Sequence, residues 1–473
     1  NIKEAPNGDI YICGTFTGVS NGGSAVANTK GIARWSKANQ AWEAVGDPNT
    51  GATITTINGM AFDAAGNLFV VGNFLNLANV ADADHIAKWD GTNWSAVGSG
   101  VSGPEPVSCL AISPTGLVYI GGVFTSIGGD PNCKYIAYWD GSSWNPLSTG
   151  LNGNVYALKT MSATIPRGSL VGGLLIGGAF TSADGTNGDY ICYWNGTEFK
   201  SFYDLGATEL TGPITGYVRS IDVTPNSTIV IGGSFTNAGG DPNADYVAAW
   251  RGTNWGALMA GSVNNDVYKV YCDPNSDIYL AGSFTQAGSL TLTDRFAVSK
   301  GGAYQPLDID LPGSGIVYSI CKASDKSLYI GGAFKAADGN AVAIQPAEME
   351  NKLASSSGSA NAYPIIEVVG PGVLQSIRNH STGQSINFDG LTLLAGERLK
   401  IYLDPTALKM KSSWSGRGSV WRYLNAGSDI GNFFMKPGTN RIGVFIPSGY
   451  DVDDTKVYVQ WQPKYWSLDG AVY

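Results

Sequence analysis

"LVYIGGVFTSIGGDPNCKYIAYWDGSSW", residues 117–144, returns as "TIVIGGSFTNAGGDPNADYVAAWRGTNW" at residues 228–255. Both copies keep an apolar strand, a glycine pair, a phenylalanine, a Gly-Gly-Asp-Pro-Asn loop and two tryptophans. A segment that recurs with its turn formers and bulky apolar residues in place marks a structural unit that the chain copies and stacks. The shortest form of the pattern is an apolar strand, Gly-Gly or a variant, a small residue and Phe. It occurs at Phe16, Phe74, Phe124, Phe180, Phe235, Phe284 and Phe334, with spacings of 58, 50, 56, 55, 49 and 50 residues. Seven copies predict a closed or stacked array.

Each copy reads as four short strands. Residues 267–270, 277–280, 246–250 and 255–258 are examples of the first to the fourth. Asp-Pro-Asn and Asp-Gly turns between them favour hairpins, and no helical periodicity competes, so each unit is expected as a four-stranded antiparallel sheet. In "WDGTNW" (residues 89–94) and "WDGSSW" (residues 139–144) two indoles bracket a hairpin loop; Trp194 with Phe199, and Trp250 with Trp255, repeat the device. Because their spacing copies the repeat, these aromatics are expected to pack between sheets, with a sugar-stacking row as the alternative. The glycine pair is expected to admit a neighbouring sheet or a bulge, with the Phe behind it filling the gap.

With these residues in hand, residues 1 to about 345 resemble the seven-bladed β-propellers of Kelch and galactose-oxidase type, whose blades also end a strand in Gly-Gly and carry a tryptophan further on. The resemblance implies architecture, since radial repetition leaves only short, protected sheet edges. Aligning Tyr11 with Tyr279 places Ile2 in the tail of a first strand, and the seventh unit loses its tryptophan strand after residues 341–344. Residues upstream of Asn1 are therefore expected, supplying the outer strand of the last blade.

Composition narrows the function classes. The chain has 473 residues, enough for two or more domains, with 64 glycines and only 14% charged residues. A net charge of −9 argues against a nucleic-acid partner, which requires basic surface to release counterions. No apolar run is long enough to span a bilayer, and no n-region and h-region open the sequence. The cysteines Cys13, Cys109, Cys133, Cys192, Cys272 and Cys321 show no CxxC pairing and are expected as small buried hydrophobes.

"NKLASSSGSANA", residues 351–362, reads as a linker. Beyond it the repeat vanishes. New strands are expected at residues 386–388, 399–403 and 441–446, with turns at 394–397 and 436–440, in a β-sandwich over residues 363–473. The ordered motifs here are Asn379, Thr382 and Gly383; Ala395, Gly396 and Glu397; Phe434, Pro437, Gly438 and Asn440; and Trp466, Ser467, Asp469 and Gly470. This series resembles the C-terminal domain of siphophage distal tail proteins and related tail components. The family's ring-forming N-terminal domain has no counterpart here, the propeller standing in its place.

Catalytic constellations are scarce. Galactose-oxidase chemistry needs a copper site with two histidines; the chain has only His85 and His380, one per expected domain. His85 is read as a loop or strand-edge residue. The sialidase box is unmatched, and an arginine triad would have to come from Arg34, Arg167, Arg219, Arg251 and Arg295. No nucleophile elbow, P-loop or HExxH motif appears. The acidic loops at residues 184–189, 241–245 and 130–132 are weighed as calcium sites and read as turns, Asp and Asn being good turn formers.

The sequence thus predicts an all-β, seven-bladed propeller, residues 1–350, followed by a β-sandwich, and a non-enzymatic virion protein without cofactor or metal. The resemblance implies that the sandwich anchors it in a phage tail or tail-like particle, among other tail proteins and as a symmetric homo-oligomer. The propeller is then displayed toward a host-surface glycan or protein. No nucleic-acid partner and no membrane insertion are expected, and no receptor-binding residue is named. The alternative is a secreted or cell-surface carbohydrate-binding propeller, with glycans stacked on exposed aromatics.

Overall fold

A computed structural model of the chain describes all residues except 22, 102–105, 162–172, 203–213, 253, 289–294, 301, 307–314, 325–327, 334–341, 346–347, 357–362, 380–381, 406, 418, 426–427, 436–437, 446–455 and 461–473. It divides into two compact units. One comprises Asn1–Cys321 with Tyr329–Ala343, the other Lys322–Leu328 with Ile344–Tyr473. No helix among the described residues is long and apolar enough to cross a membrane.

The first unit is a seven-bladed β-propeller. Six antiparallel sheets have four strands each and the seventh has three among the described residues. Blade 5 shows the plan: Thr215–Val223, Ile229–Thr236, Val247–Trp250 and Trp255–Ala257, paired in chain order. The strands expected in blades 5 and 6 all form. Short extra hairpins, Val19–Asn21 with Ser24–Val26 and Ser182–Ala183 with Thr186–Asn187, branch from blades 1 and 4.

The glycine pair does two separate jobs, as blade 5 illustrates. A Cβ on Gly232 would stand 2.5 Å from Cγ1 of Val267 in the next blade. A Cβ on Gly233 would stand 1.9 Å from the carbonyl oxygen of Tyr217, on the first strand of its own blade. There the register slips between Val218 and Ser220, a β-bulge. The first glycine thus sets the distance between blades and the second accommodates the bulge. Phe74, Phe124, Phe180, Phe235 and Phe284 fill the remaining space and are fully buried; Phe16 is half-buried, and Phe334 lies outside the described residues.

The tryptophan pairs pack as expected. Trp89 and Trp94 face each other across their hairpin with centroids 5.4 Å apart, and Trp250 and Trp255 do so at 5.6 Å. Trp94 Nε1 donates to Val45 O and Trp144 Nε1 to Val97 O, each reaching back to the preceding blade. Trp94, Trp250 and Trp255 are buried in this packing, and Trp89 and Trp144 are half-buried.

The second unit is a β-sandwich of two four-stranded antiparallel sheets. One orders Glu348–Ser356, Gly438–Phe445, Gly372–Asn379 and Gln384–Leu393; the other orders Lys409–Ser412, Arg398–Tyr402, Ile365–Val369 and Lys456–Gln460. Between them lie Ile366, Val368, Leu374, Ile377, Ile386 and Leu399. Two expectations are corrected here. Residues 351–356, read as linker, belong to the edge strand Glu348–Ser356, paired from Glu348 with Phe445 to Ser356 with Gly438. The propeller therefore ends before residue 350, and the residues 438–440 expected in a turn begin that partner strand. Small polar side chains do not prevent a strand where a neighbour offers an unsatisfied edge. Residues 357–362, Pro437 and the last motif, residues 466–470, lie outside the described residues.

Candidate functional site

The first strand of each blade lies innermost, and successive first strands touch one another around the axis. Asn58 Nδ2 donates to Val107 O, Val270 N to Ser220 Oγ and Cys272 N to Asp222 Oδ2, each bond linking neighbouring blades. What these strands carry defines the channel and its mouth.

In blades 4, 5 and 6 the bulge of the first strand falls on Tyr156, Arg219 and Tyr268. Tyr318 holds the matching place in the blade 7 strand Ile316–Lys322. A bulge turns its residue out of the ladder, here toward one mouth of the propeller. The Arg219 guanidinium lies between two rings, 5.8 Å from the centroid of Tyr156 and 5.2 Å from that of Tyr268. Its Nε donates to Ser234 Oγ at 3.0 Å, and Asp266 Oδ2 lies 3.9 Å away. Tyr318 meets Tyr268 edge to face at 5.2 Å, and Tyr217 meets Tyr156 at 6.3 Å. Tyr217 and Tyr318 are 45% and 46% exposed, which makes them open flanks of an aromatic arc centred on one cation. Such an arc offers π faces to sugar C–H groups or cations and guanidinium N–H groups to acceptors.

Further along the same strands the lining becomes basic. Lys269 of blade 6 follows Tyr268; Lys159 of blade 4, Asp222 of blade 5 and Lys3 of blade 1 share one register level a pleat further in. Lys159 Nζ pairs with Asp222 Oδ1 at 2.6 Å. Lys269 loses proton affinity through burial and then through the charge of Lys3, which together bring its pKa down to about 8. Lys3 is exposed, yet desolvation by the surrounding strands and then the charge of Lys159 depress its pKa as well. Burial pushes the Asp222 carboxyl up, and the Lys159 and Lys269 charges more than offset this and hold it low.

Several residues weighed from the sequence are elsewhere. His85 is buried in the loop before a third strand, its Nδ1 3.0 Å from Gly72 O; His380 and Arg167 lie outside the described residues. Arg34 pairs with Glu43, and Arg251 donates to Ala257 O. The acidic loops spend their carboxylates on turns: Asp184 accepts from Ser148 and Thr149, Asp241 from the backbone of Asn243 and Ala257, and Asp130 from that of Asn132. No group of three His, Cys, Asp or Glu side chains that could hold a metal occurs among the described residues. All six cysteines are free, and burial raises the Cys109, Cys192 and Cys272 thiols and takes that of Cys133 to about 11, the state of inert thiols.

The tail-like motifs of the second unit resolve into turn chemistry. Asn379 Nδ2 donates to Phe434 O at 2.7 Å, joining two of the motifs, and Gly383 at φ +78° closes the hairpin behind Asn379. Glu397 caps its own Ala-Gly-Glu turn by accepting from Leu394 N at 2.8 Å, and its two oxygens grip buried Arg417.

Sequence reasoning missed the mouth, although a signal was present. First strands reading VYAL (155–158), VRSI (218–221), VYKV (267–270) and VYSI (317–320) all open on valine, and the bulge position that follows it is Tyr in three copies and Arg219 in the other.

No protein-family model and no curated protein matches the chain. Among solved structures it is similar to YCF48 bound to a D1 peptide, at 16% identity and a TM-score of 0.38 over 66% of this chain and 85% of that one. It is similar also to virginiamycin B lyase from Staphylococcus aureus, at 11% identity and a TM-score of 0.37 over 61% and 83%. A gluconolactonase-like protein follows at 13% identity and a TM-score of 0.29 over 59% and 83%. These relatives include enzymes and a peptide-bound protein, and the propeller assignment rests on the sheets rather than on them.

Proposed function

We propose that this chain is a non-enzymatic recognition protein of a phage or phage-tail-like particle, with the propeller displayed for host-surface attachment and the sandwich anchoring it among other tail proteins. The observation that carries the recognition role is the mouth: exposed Tyr217 and Tyr318 flank half-buried Arg219, which lies between the half-buried rings of Tyr156 and Tyr268 on the inner strands. Preorganised aromatic and guanidinium groups bind at low entropic cost. The placement in a tail rests on the motif series of the second unit, whose Asn379, Phe434 and Glu397 hold the sandwich turns.

Antibody against the propeller is expected to label the tips of purified particles and to block their adsorption to host cells. Finding the protein only in the particle-free fraction overturns the tail assignment. The same mouth supports the alternative, a secreted or cell-surface carbohydrate-binding propeller. Glycan-array binding by protein from the particle-free fraction is the result that favours it.

A further inference from the structure

Three lysines from three different blades stand within one pleat of the same level on the innermost strands of a chain whose net charge is −9. Among the described residues the one carboxylate at their level is Asp222, and it is engaged by Lys159 and by the amide of Cys272. Lys3 and Lys269 have no carboxylate within 4.0 Å among the described residues. Glu4, next to Lys3, is paired with Lys37 at 3.4 Å, and Asp266, next to Tyr268, faces Arg219. The Cys13, Cys272 and Cys321 thiols nearby are uncharged at neutral pH, because burial raises each of their pKa values.

Like charges held together by a rigid ring cost stability unless a counter-charge sits among them. The lysine stems come from strands fixed by inter-blade hydrogen bonds, which hold their points of attachment around one axis. We propose that the axial channel binds an oxyanion, a phosphate, sulfate or carboxylate group, between Lys3, Lys159 and Lys269. Asp222 bars larger negative charge and orients Lys159. The aromatic mouth sits on the same strands, so a free inorganic ion and the acidic group of a bound sugar are the two sources of this chemistry. The inference stands whether or not the protein belongs to a particle.

The test is calorimetric titration of the intact chain at low ionic strength with inorganic phosphate, glucose 6-phosphate and glucose. Saturable heat with phosphate, absent with sodium chloride of equal ionic strength, is expected. Lys269→Met and Lys3→Met each weaken it about tenfold, the effect of losing one charge-assisted hydrogen bond. Asp222→Asn is expected to tighten it. Circular dichroism and melting in phosphate-free buffer show which variants are folded, and the Asp222→Asn arm tests the site without removing any lysine. Tighter binding of glucose 6-phosphate than of phosphate, with none of glucose, identifies the acidic-sugar source; equal binding identifies the free ion. Absence of phosphate binding by wild type, or unchanged binding by folded Lys3→Met and Lys269→Met, overturns the proposal. Loss of host-cell adsorption through Arg219→Ala with phosphate binding intact bears on the recognition role alone.

Discussion

The backbone amide of Ile2 donates a 3.0 Å hydrogen bond to Ser319 Oγ, joining residues 317 positions apart. The same bond links blades 5 and 6, from Val270 N to Ser220 Oγ at 3.0 Å. The first blade therefore meets the seventh through the contact that neighbouring blades use inside the ring. A Cβ on Gly331 would likewise stand 3.1 Å from Ile2 Cδ1, the seam's version of Gly232 against Val267. Closure is achieved by inter-blade chemistry.

Ser319→Ala leaves the buried Ile2 amide without its acceptor and is expected to cost about 1–2 kcal/mol. Ser220→Ala, inside the ring, is expected to cost a similar amount. Urea unfolding of both variants checks this: a silent Ser319→Ala beside a destabilised Ser220→Ala would show that the seam is open in solution.

Gly233→Ala is expected to destabilise far more than Gly232→Ala. The Gly233 methyl meets backbone at the bulge, which has no room to give, whereas Gly232 faces a side chain, and blade 6 already carries Ala281 at the matching place. A loss of about 3 kcal/mol or more for Gly233→Ala belongs to the strained-backbone class. Thermal melting in which both variants behave alike contradicts the division of labour between the glycines.

Lys269 gives stability a pH slope of known sign. Its folded pKa of about 8 lies below the ordinary 10.5. Below the folded value both states hold the proton, and the enclosed charge is a constant cost. Between the two values the unfolded chain binds the proton that the folded chain has released, so stability rises with pH. Lys269→Met is therefore expected to melt above wild type near pH 7 in phosphate-free buffer, with the gap closing toward about pH 10. Scanning calorimetry that finds a constant gap, or none, removes Lys269 from the channel cluster.

Arg219→Lys keeps the charge but loses the planar group that stacks between Tyr156 and Tyr268. Adsorption to the target surface is expected to fall by about tenfold or more, as at other aromatic-arginine hot spots, with melting little changed because the site is at the mouth. Equal binding by wild type and variant would locate recognition elsewhere.

Glu397 and Arg417 form a buried pair in the sandwich, both nearly inaccessible to water. Glu397→Ala strands the guanidinium and is expected to cost about 3–5 kcal/mol. Adding Arg417→Met is expected to recover a large part of that loss. A double variant less stable than the single one contradicts the account.

The propeller was legible because its determinants are local and repeated. Alternating apolar strands, Asp-Gly and Asp-Pro-Asn turns, the glycine pair and the Trp89 to Trp94 bracket recur across several copies and need only nearby residues to act. The sandwich strands were legible for the same reason. The edge strand Glu348–Ser356 was not, since its Ala-Ser-Ser end reads as linker and pairs as strand beside Gly438–Phe445. The mouth and the channel were decided by tertiary structure alone. Arg219 is one cation among scattered arginines until the ring sets it between rings from two other blades. Lys3, Lys159 and Lys269 are far apart in sequence, and a negative net charge conceals them; closing the ring brings them to one axis, where their mutual repulsion alters their chemistry. Local sequence dictates what each blade is, and only the circle of blades dictates what their inner edges share.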